Sequence, residues 1–268
     1  MKTLHALAAA LLAASSFAAH AVGRLADIAL YDRAAGRELP VHWHEGRAYV
    51  VGQPGSEYQI VFRNRAHEDL LGIVSVDGVN VLSGETANTQ QGGYVVARRE
   101  KLDIRGWRKS MGETAAFYFT SLGDSYAART GRPDNVGVIG VALYKRQATA
   151  MTPLVTAPAA PEPRSLDSAK REARDAPAAA PPPLASESSS AGRLYANPDL
   201  PLGTGHGRRE ESRVRLVNFE RASAEPVETI TIYYDSHHHL VKRGVIPAAR
   251  SPEPFPSFVP DPPPAALF

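Results

Sequence analysis

Ser125, Asp235 and His238 are the residues of this chain whose types and order could carry nucleophilic chemistry. Ser125 lies in the run Gly123-Asp124-Ser125-Tyr126, directly after an apolar, strand-like stretch, and Asp235-Ser236-His237-His238 follows far downstream. A serine hydroxyl becomes a nucleophile when a histidine within hydrogen-bond reach takes its proton and a carboxylate orients that histidine. In that assignment Ser125 attacks, His238 is the general base and Asp235 orients it.

Histidine offers a second chemistry. His42 and His44 flank Trp43, so on a strand they share a face and could give two nitrogens to zinc or copper. His237, His238 and His239, beside Asp235, could do likewise at a hairpin tip. Each cluster alone falls short of a full ligand set and the chain has no cysteine. A metal site would therefore need the two clusters to meet in space, and solvated surface histidines are the expected outcome.

Two loops could serve recognition. "GWRKS" (Gly106 to Ser110) and "RTGRP" (Arg129 to Pro133) bring Trp107, Arg108, Lys109, Arg129 and Arg132 into or beside loops, with Asn135 just beyond. Trp supplies flat apolar area and Arg planar donors, a pairing favoured at binding surfaces; the alternative is that Trp107 faces the core. "LGTGHGRREES" (Leu202 to Ser212) sets three glycines around His206, followed by Arg208 and Arg209. It lacks the Lys-Ser/Thr of a phosphate loop, and no dinucleotide-binding unit surrounds it. A flexible lead-in to a strand is expected there, or else an anion-binding nest supported by Arg208 and Arg209. Nothing in the sequence calls for a cofactor, and none is expected.

The elements that must position these residues are mostly β. From Leu25 to Lys145 short β-rich runs are broken by Gly, Asn and Asp: Asp27 to Tyr31, Glu38 to Trp43, Arg47 to Val51, Glu57 to Arg63, Leu71 to Val76, Val79 to Leu82, Gly93 to Arg98, Leu102 to Trp107, Ala115 to Ser121 and Val136 to Tyr144. Tyr58, Ile60 and Phe62 alternate with Gln59, Val61 and Arg63, as a half-buried strand requires. Asp77-Gly78 between two β-branched runs signals a hairpin, because both residues tolerate positive φ. Closely spaced strands without amphipathic helices predict an all-β fold, an antiparallel β-sandwich over residues 24–146.

Residues 147–192 change to Ala, Pro, Ser and scattered charge, a composition that cannot bury enough apolar surface to order itself, so a disordered linker is expected. A small C-terminal β element follows over 193–246, with strands at Arg213 to Phe219, Thr229 to Tyr234 and Leu240 to Ile246, the last pair turned at "DSHHH". Three strands make a poor independent unit, so this element should dock on the sandwich or on another chain. Residues 247–268 form a Pro-rich tail.

Residues 1–21 read as an export signal: Lys2, an Ala/Leu-rich stretch, and Ala19-His20-Ala21 as a cleavage site. No segment is long and apolar enough to predict a transmembrane span. The formal net charge of +2, from 30 basic and 28 acidic residues, is spread along the chain, so no nucleic-acid footprint is predicted.

Gly123 to Tyr126 resembles the nucleophile block of the GDSL, or SGNH, hydrolases, and Asp235 to His238 resembles their Asp-x-x-His block. That resemblance implies a serine esterase using Ser125, Asp235 and His238. The surroundings depart from the pattern. In that family the block opens the domain and leads into a helix, whereas here about a hundred residues precede it, Gly131 and Pro133 stop any helix, and no Gly-x-Asn-Asp block follows. The same residues form a loop joining "AAFYFTSL" to "VGVIGVALY". A broader resemblance, in "SVDGVNVLSGETA", "GWRKS", "DSYAARTGRPDNVGVIGVA" and "LGTGHGRREESRV", is to an uncharacterised family of exported proteobacterial proteins. It implies secretion in a Gram-negative cell and that the two blocks belong together. The expectation is an exported, non-enzymatic binding or structural module, in the periplasm or at the cell surface, that presents its loops to a protein or cell-envelope component.

Overall fold

The computed structural model describes residues 22–148 and 201–248. The expected signal, residues 149–192 of the expected linker and nearly all of the Pro-rich tail lie outside the described residues. In chain order the elements are β1 (Ala26–Asp32), β2 (Arg37–Glu38), β3 (Val41–His44), β4 (Arg47–Val51), β5 (Glu57–Asn64), β6 (Leu70–Val76), β7 (Val79–Asn80), β8 (Tyr94–Val96), β9 (Lys101–Ile104), β10 (Gly106–Arg108), β11 (Glu113–Ser121), α1 (Tyr126–Arg129), β12 (Val138–Lys145), β13 (Leu202–Glu211), β14 (Glu228–Asp235) and α2 (His237–Lys242).

The strands form two seven-stranded sheets. The first runs β10-β11-β5-β1-β2, with β13 on β11 and β9 on β5; the second runs β3-β4-β14-β12-β6-β7, with β8 on β6. Ile28, Ile60, Phe62 and Phe117 from the first sheet share one buried cluster with Val74, Val141, Leu143 and Ile232 from the second. At Gly72 a Cβ would lie 2.2 Å from the Phe62 ring, so glycine there admits a side chain of the facing sheet.

Local chemistry explains where the chain changes sheet. The expected strand from Glu38 to Trp43 is two strands, because Pro40 has no N–H for a ladder: β2 ends before it on the first sheet and β3 begins after it on the second. The expected strand from Leu102 to Trp107 likewise divides at Arg105. Its halves pair with β5 and β11, and Gly106 lies so close to Ala115 that a Cβ would sit 2.0 Å from that carbonyl oxygen. Asp77 and Gly78 take φ of 53° and 73° between β6 and β7, the turn that the sequence predicts.

The second sheet is mixed, which corrects the purely antiparallel expectation: β14 runs antiparallel to β12 but parallel to β4. The C-terminal strands are built into both sheets, β13 beside β11 and β14 between β4 and β12. Two strand assignments move. Arg213 to Phe219 forms no ladder; the strand is the preceding "LGTGHGRREE". Its alternate glycines are there because Tyr118, Ser125 and Ala116 crowd their Cβ positions, leaving 2.2 Å at Gly205, 2.5 Å at Gly203 and 2.8 Å at Gly207. The Leu240 to Ile246 strand is instead α2 and its end: Ser236 caps the helix by accepting from the His239 N–H, and Gly244, at φ 73°, stops it.

Candidate functional site

Ser125 is fully buried, and its hydroxyl is used twice. It donates to the Leu122 carbonyl at 2.7 Å and accepts from the Ala128 N–H at 3.1 Å, which makes it the N-cap of α1. Gly131 and Pro133 do follow, yet one helical turn forms before them, contrary to the expectation of none. β13 closes over the cap through Gly203. Asp235 accepts from His239 Nδ1 at 2.9 Å, from the Ser236 N–H at 2.8 Å and from the Leu202 N–H at 3.3 Å. The carboxylate therefore orients His239 where the esterase assignment needs His238, and Ser125 serves as a cap where that assignment needs an exposed nucleophile.

The histidine clusters do not assemble. His237, His238 and His239 are consecutive on the first turn of α2 instead of at a hairpin tip, so their side chains leave the helix about 100° apart. His42 and His44 lie on β3, an edge strand, with Trp43 between them 55% exposed. Among the described residues no group of three or more His, Asp or Glu is placed to hold a metal ion.

The two recognition loops do come together. Trp107 is buried beneath them, donating from Nε1 to the Gly205 carbonyl at 3.0 Å. Its ring meets Phe117 edge-on at 5.2 Å and lies against Tyr126 at 4.7 Å; Tyr126 in turn stacks on His206 at 5.6 Å. An aromatic ladder thus runs outward from the core, with half-buried His206 as its outer rung. Lys109, Arg209 and Arg129 lie near enough for their charges to act on its ring. Burial holds the His206 imidazole below its ordinary pKa, and the charges of Lys109, Arg209 and Arg129 push in the same direction. Among the described residues neither Lys109 nor Arg129 has an ion pair, and Arg209 has only an exposed contact to Glu113 at 3.6 Å.

The other expected binding residues have internal roles. Arg108 holds Ser212 Oγ at 3.1 Å and Tyr94 Oη at 3.2 Å. Arg132 pins its loop through the Gly84 carbonyl at 3.0 Å and Thr130 Oγ1 at 2.9 Å. Arg208 makes a bidentate pair with Glu57 at 2.9 and 3.0 Å, and Asn135 packs beside Gly78. The sequence assigns no binding role to Tyr126, and it offers Arg209 only as support for an anion nest beside Arg208. The ladder between β11 and β13 pairs Phe117 with His206 but Ala115 with Arg209, so β13 carries one extra residue. Phe117 and Ala115 share a face, and therefore so do His206 and Arg209; strict alternation would have chosen Arg208.

A second feature, unseen in the sequence, is a buried polar chain between the sheets. Asp77 Oδ1 accepts from Tyr234 Oη at 2.5 Å and from the Gly137 N–H at 3.0 Å, while its Oδ2 accepts from the Thr204 N–H at 2.8 Å. Thr204 Oγ1 lies 2.7 Å from both Tyr234 Oη and Tyr58 Oη. Burial pushes the Asp77 carboxyl up to about 6, against the pull of these donors. Together Asp77 and Asp235 occupy outward-pointing amides of β13, sealing part of an edge that would otherwise be open.

No family model matches the chain, and no curated protein or solved structure matches it.

Proposed function

We propose that the chain is an exported β-sandwich acting as a binding module, and that the face around His206 takes an acidic partner, a protein or another component of the cell envelope. The observation that carries this reading is the convergence of Lys109, Arg129 and Arg209, from three separate elements, on the stacked Tyr126 and His206 rings. Flat aromatic surface beside Lys109 and Arg129, which have no ion-pair partner among the described residues, suits recognition of an anionic surface, since the charges attract it and the rings supply contact area. The buried Trp107 beneath the rings would keep that surface rigid, so little ordering entropy would be lost on binding.

Binding of the full chain to immobilised poly-glutamate and to vesicles containing anionic lipid, measured across salt concentration, tests the proposal. Wild type should bind at low salt, and Lys109→Glu with Arg129→Glu should bind at least tenfold more weakly. An unchanged affinity in that exposed double variant would overturn the assignment of this face.

A further inference from the structure

A separate cleft of about 400 Å³ opens where the start of β13 meets α2. One wall is apolar, formed by Val136, Leu202 and Tyr233; the other carries His239, Lys242 and Arg243. Tyr233 is braced from behind by Tyr49, at 5.4 Å between ring centroids, and Leu202 is fully buried in the core. On the polar wall Asp235 holds His239 through Nδ1 at 2.9 Å, which leaves Nε2 as the ring's second hydrogen-bonding atom.

The charges of this wall do not balance. The Asp235 carboxylate already accepts from two backbone N–H groups besides His239. Neither Lys242 nor Arg243 has a carboxylate partner among the described residues. Arg243 instead lies over the Tyr49 ring at 5.2 Å, with its Nη2 3.4 Å from that residue's Oη. Two adjacent cations and an imidazole held by Asp235 therefore line a space that Val136, Pro201, Leu202 and Tyr233 also line.

We infer that this cleft is a binding site for a small organic carboxylate whose body is a single apolar ring or a chain of similar size. The anionic end sits against Lys242 and Arg243, beside the His239 ring, and the body lies along Val136 and Tyr233 with Leu202 at the floor. The volume falls near the lower end of small-molecule sites, which span about 300–1,000 Å³, and this sets the size of the body. Inorganic phosphate satisfies the cations but leaves the apolar wall wet, whereas an amine of the same shape meets like charge.

The test is titration of the full chain with benzoate, inorganic phosphate and benzylamine at one pH and ionic strength, followed by calorimetry and by the His239 imidazole resonances. Benzoate should saturate and shift the His239 signals, with phosphate and benzylamine at least tenfold weaker. Lys242→Ala with Arg243→Ala should weaken benzoate at least tenfold with an unchanged circular dichroism spectrum. If that pair disturbs the fold, Lys242→Gln alone should weaken benzoate at least threefold. The inference fails if benzoate does not saturate in the millimolar range, if phosphate or benzylamine binds as well, or if a folded variant keeps wild-type affinity. Because Lys109 and Arg129 take no part, their charge reversal leaves benzoate binding unchanged, so this site and the His206 face succeed or fail separately.

Discussion

Tyr234 Oη donates to Asp77 Oδ1 across 2.5 Å, both residues buried, and this bond joins the C-terminal end of β14 to the turn of a distant hairpin. Thr204 extends the connection to the other sheet, so a single tyrosine hydroxyl links β14, the β6–β7 turn and β13. Removing it leaves Asp77 Oδ1 with only the Gly137 N–H and Thr204 Oγ1 with only Tyr58, in a buried site. Tyr234→Phe should cost about 1–3 kcal/mol, the range for leaving buried polar groups unsatisfied. Urea unfolding gives the value, and a change within error of zero would show that the network rearranges without loss.

Asp77, raised from 3.8 to about 6 by burial, takes up a proton more readily in the folded chain than in the unfolded one. Its protonation therefore stabilises the fold on the acid side: the contribution is complete below about 3.8 and is lost as pH rises through about 6. The stability of wild type minus that of Asp77→Asn should fall by up to about 3 kcal/mol between pH 4 and pH 7 and then level off. A difference that does not vary with pH would contradict the raised value.

Ser125→Ala removes an N-cap and leaves the Leu122 carbonyl without its hydroxyl donor. The expected loss is about 0.5–2 kcal/mol in chemical unfolding. A fluorophosphonate serine probe should leave folded wild type unlabelled, because the hydroxyl is buried and engaged. Covalent labelling at Ser125 that vanishes on heat unfolding would restore the nucleophile assignment.

Lys109→Gln removes one of the charges that depress the His206 imidazole. The His206 titration, followed by NMR, should move up toward the ordinary histidine value; no movement would place Lys109 too far away to belong to this face.

Gly205→Ala sets a methyl against the Tyr118 ring, 2.2 Å from Cζ, and should destabilise by about 1–3 kcal/mol. Gly112→Ala, where nothing lies within 4 Å, should be close to neutral and serves as the control.

The strands with regular alternation were legible in the sequence because burial on one face leaves a period of two in the residue types: β5 shows it in Tyr58, Ile60 and Phe62, all fully buried. β13 was not legible, since its small residues answer to neighbours that come from elsewhere in the chain. Gly205 looks like flexibility until Tyr118 is known to lie across it. The same holds for α2, where three histidines give no amphipathic pattern and only Ser236, Leu240 and Gly244 mark a helix. At the His206 face, Lys109, Arg129 and His206 were visible as residue types, but their convergence depends on pairing between β11 and β13, and Arg209 depends on one extra residue in that ladder. The Asp77 network left no local signal at all, because each partner is an ordinary turn or strand residue until the sheets meet.

The position of β14 also governs the order in which this protein can fold. It fills the gap between β4 and β12, so in a growing chain those two strands have open edges until residues 228–235 emerge. The parallel contact with β4 spans more than 180 positions, from Ala48 to Ile232, and such long closures make folding slow. During that delay the unpaired edges of β4 and β12 are templates for intermolecular pairing. Completing the second sheet therefore waits on the last strand among the described residues, since β4 and β12 are joined only through β14.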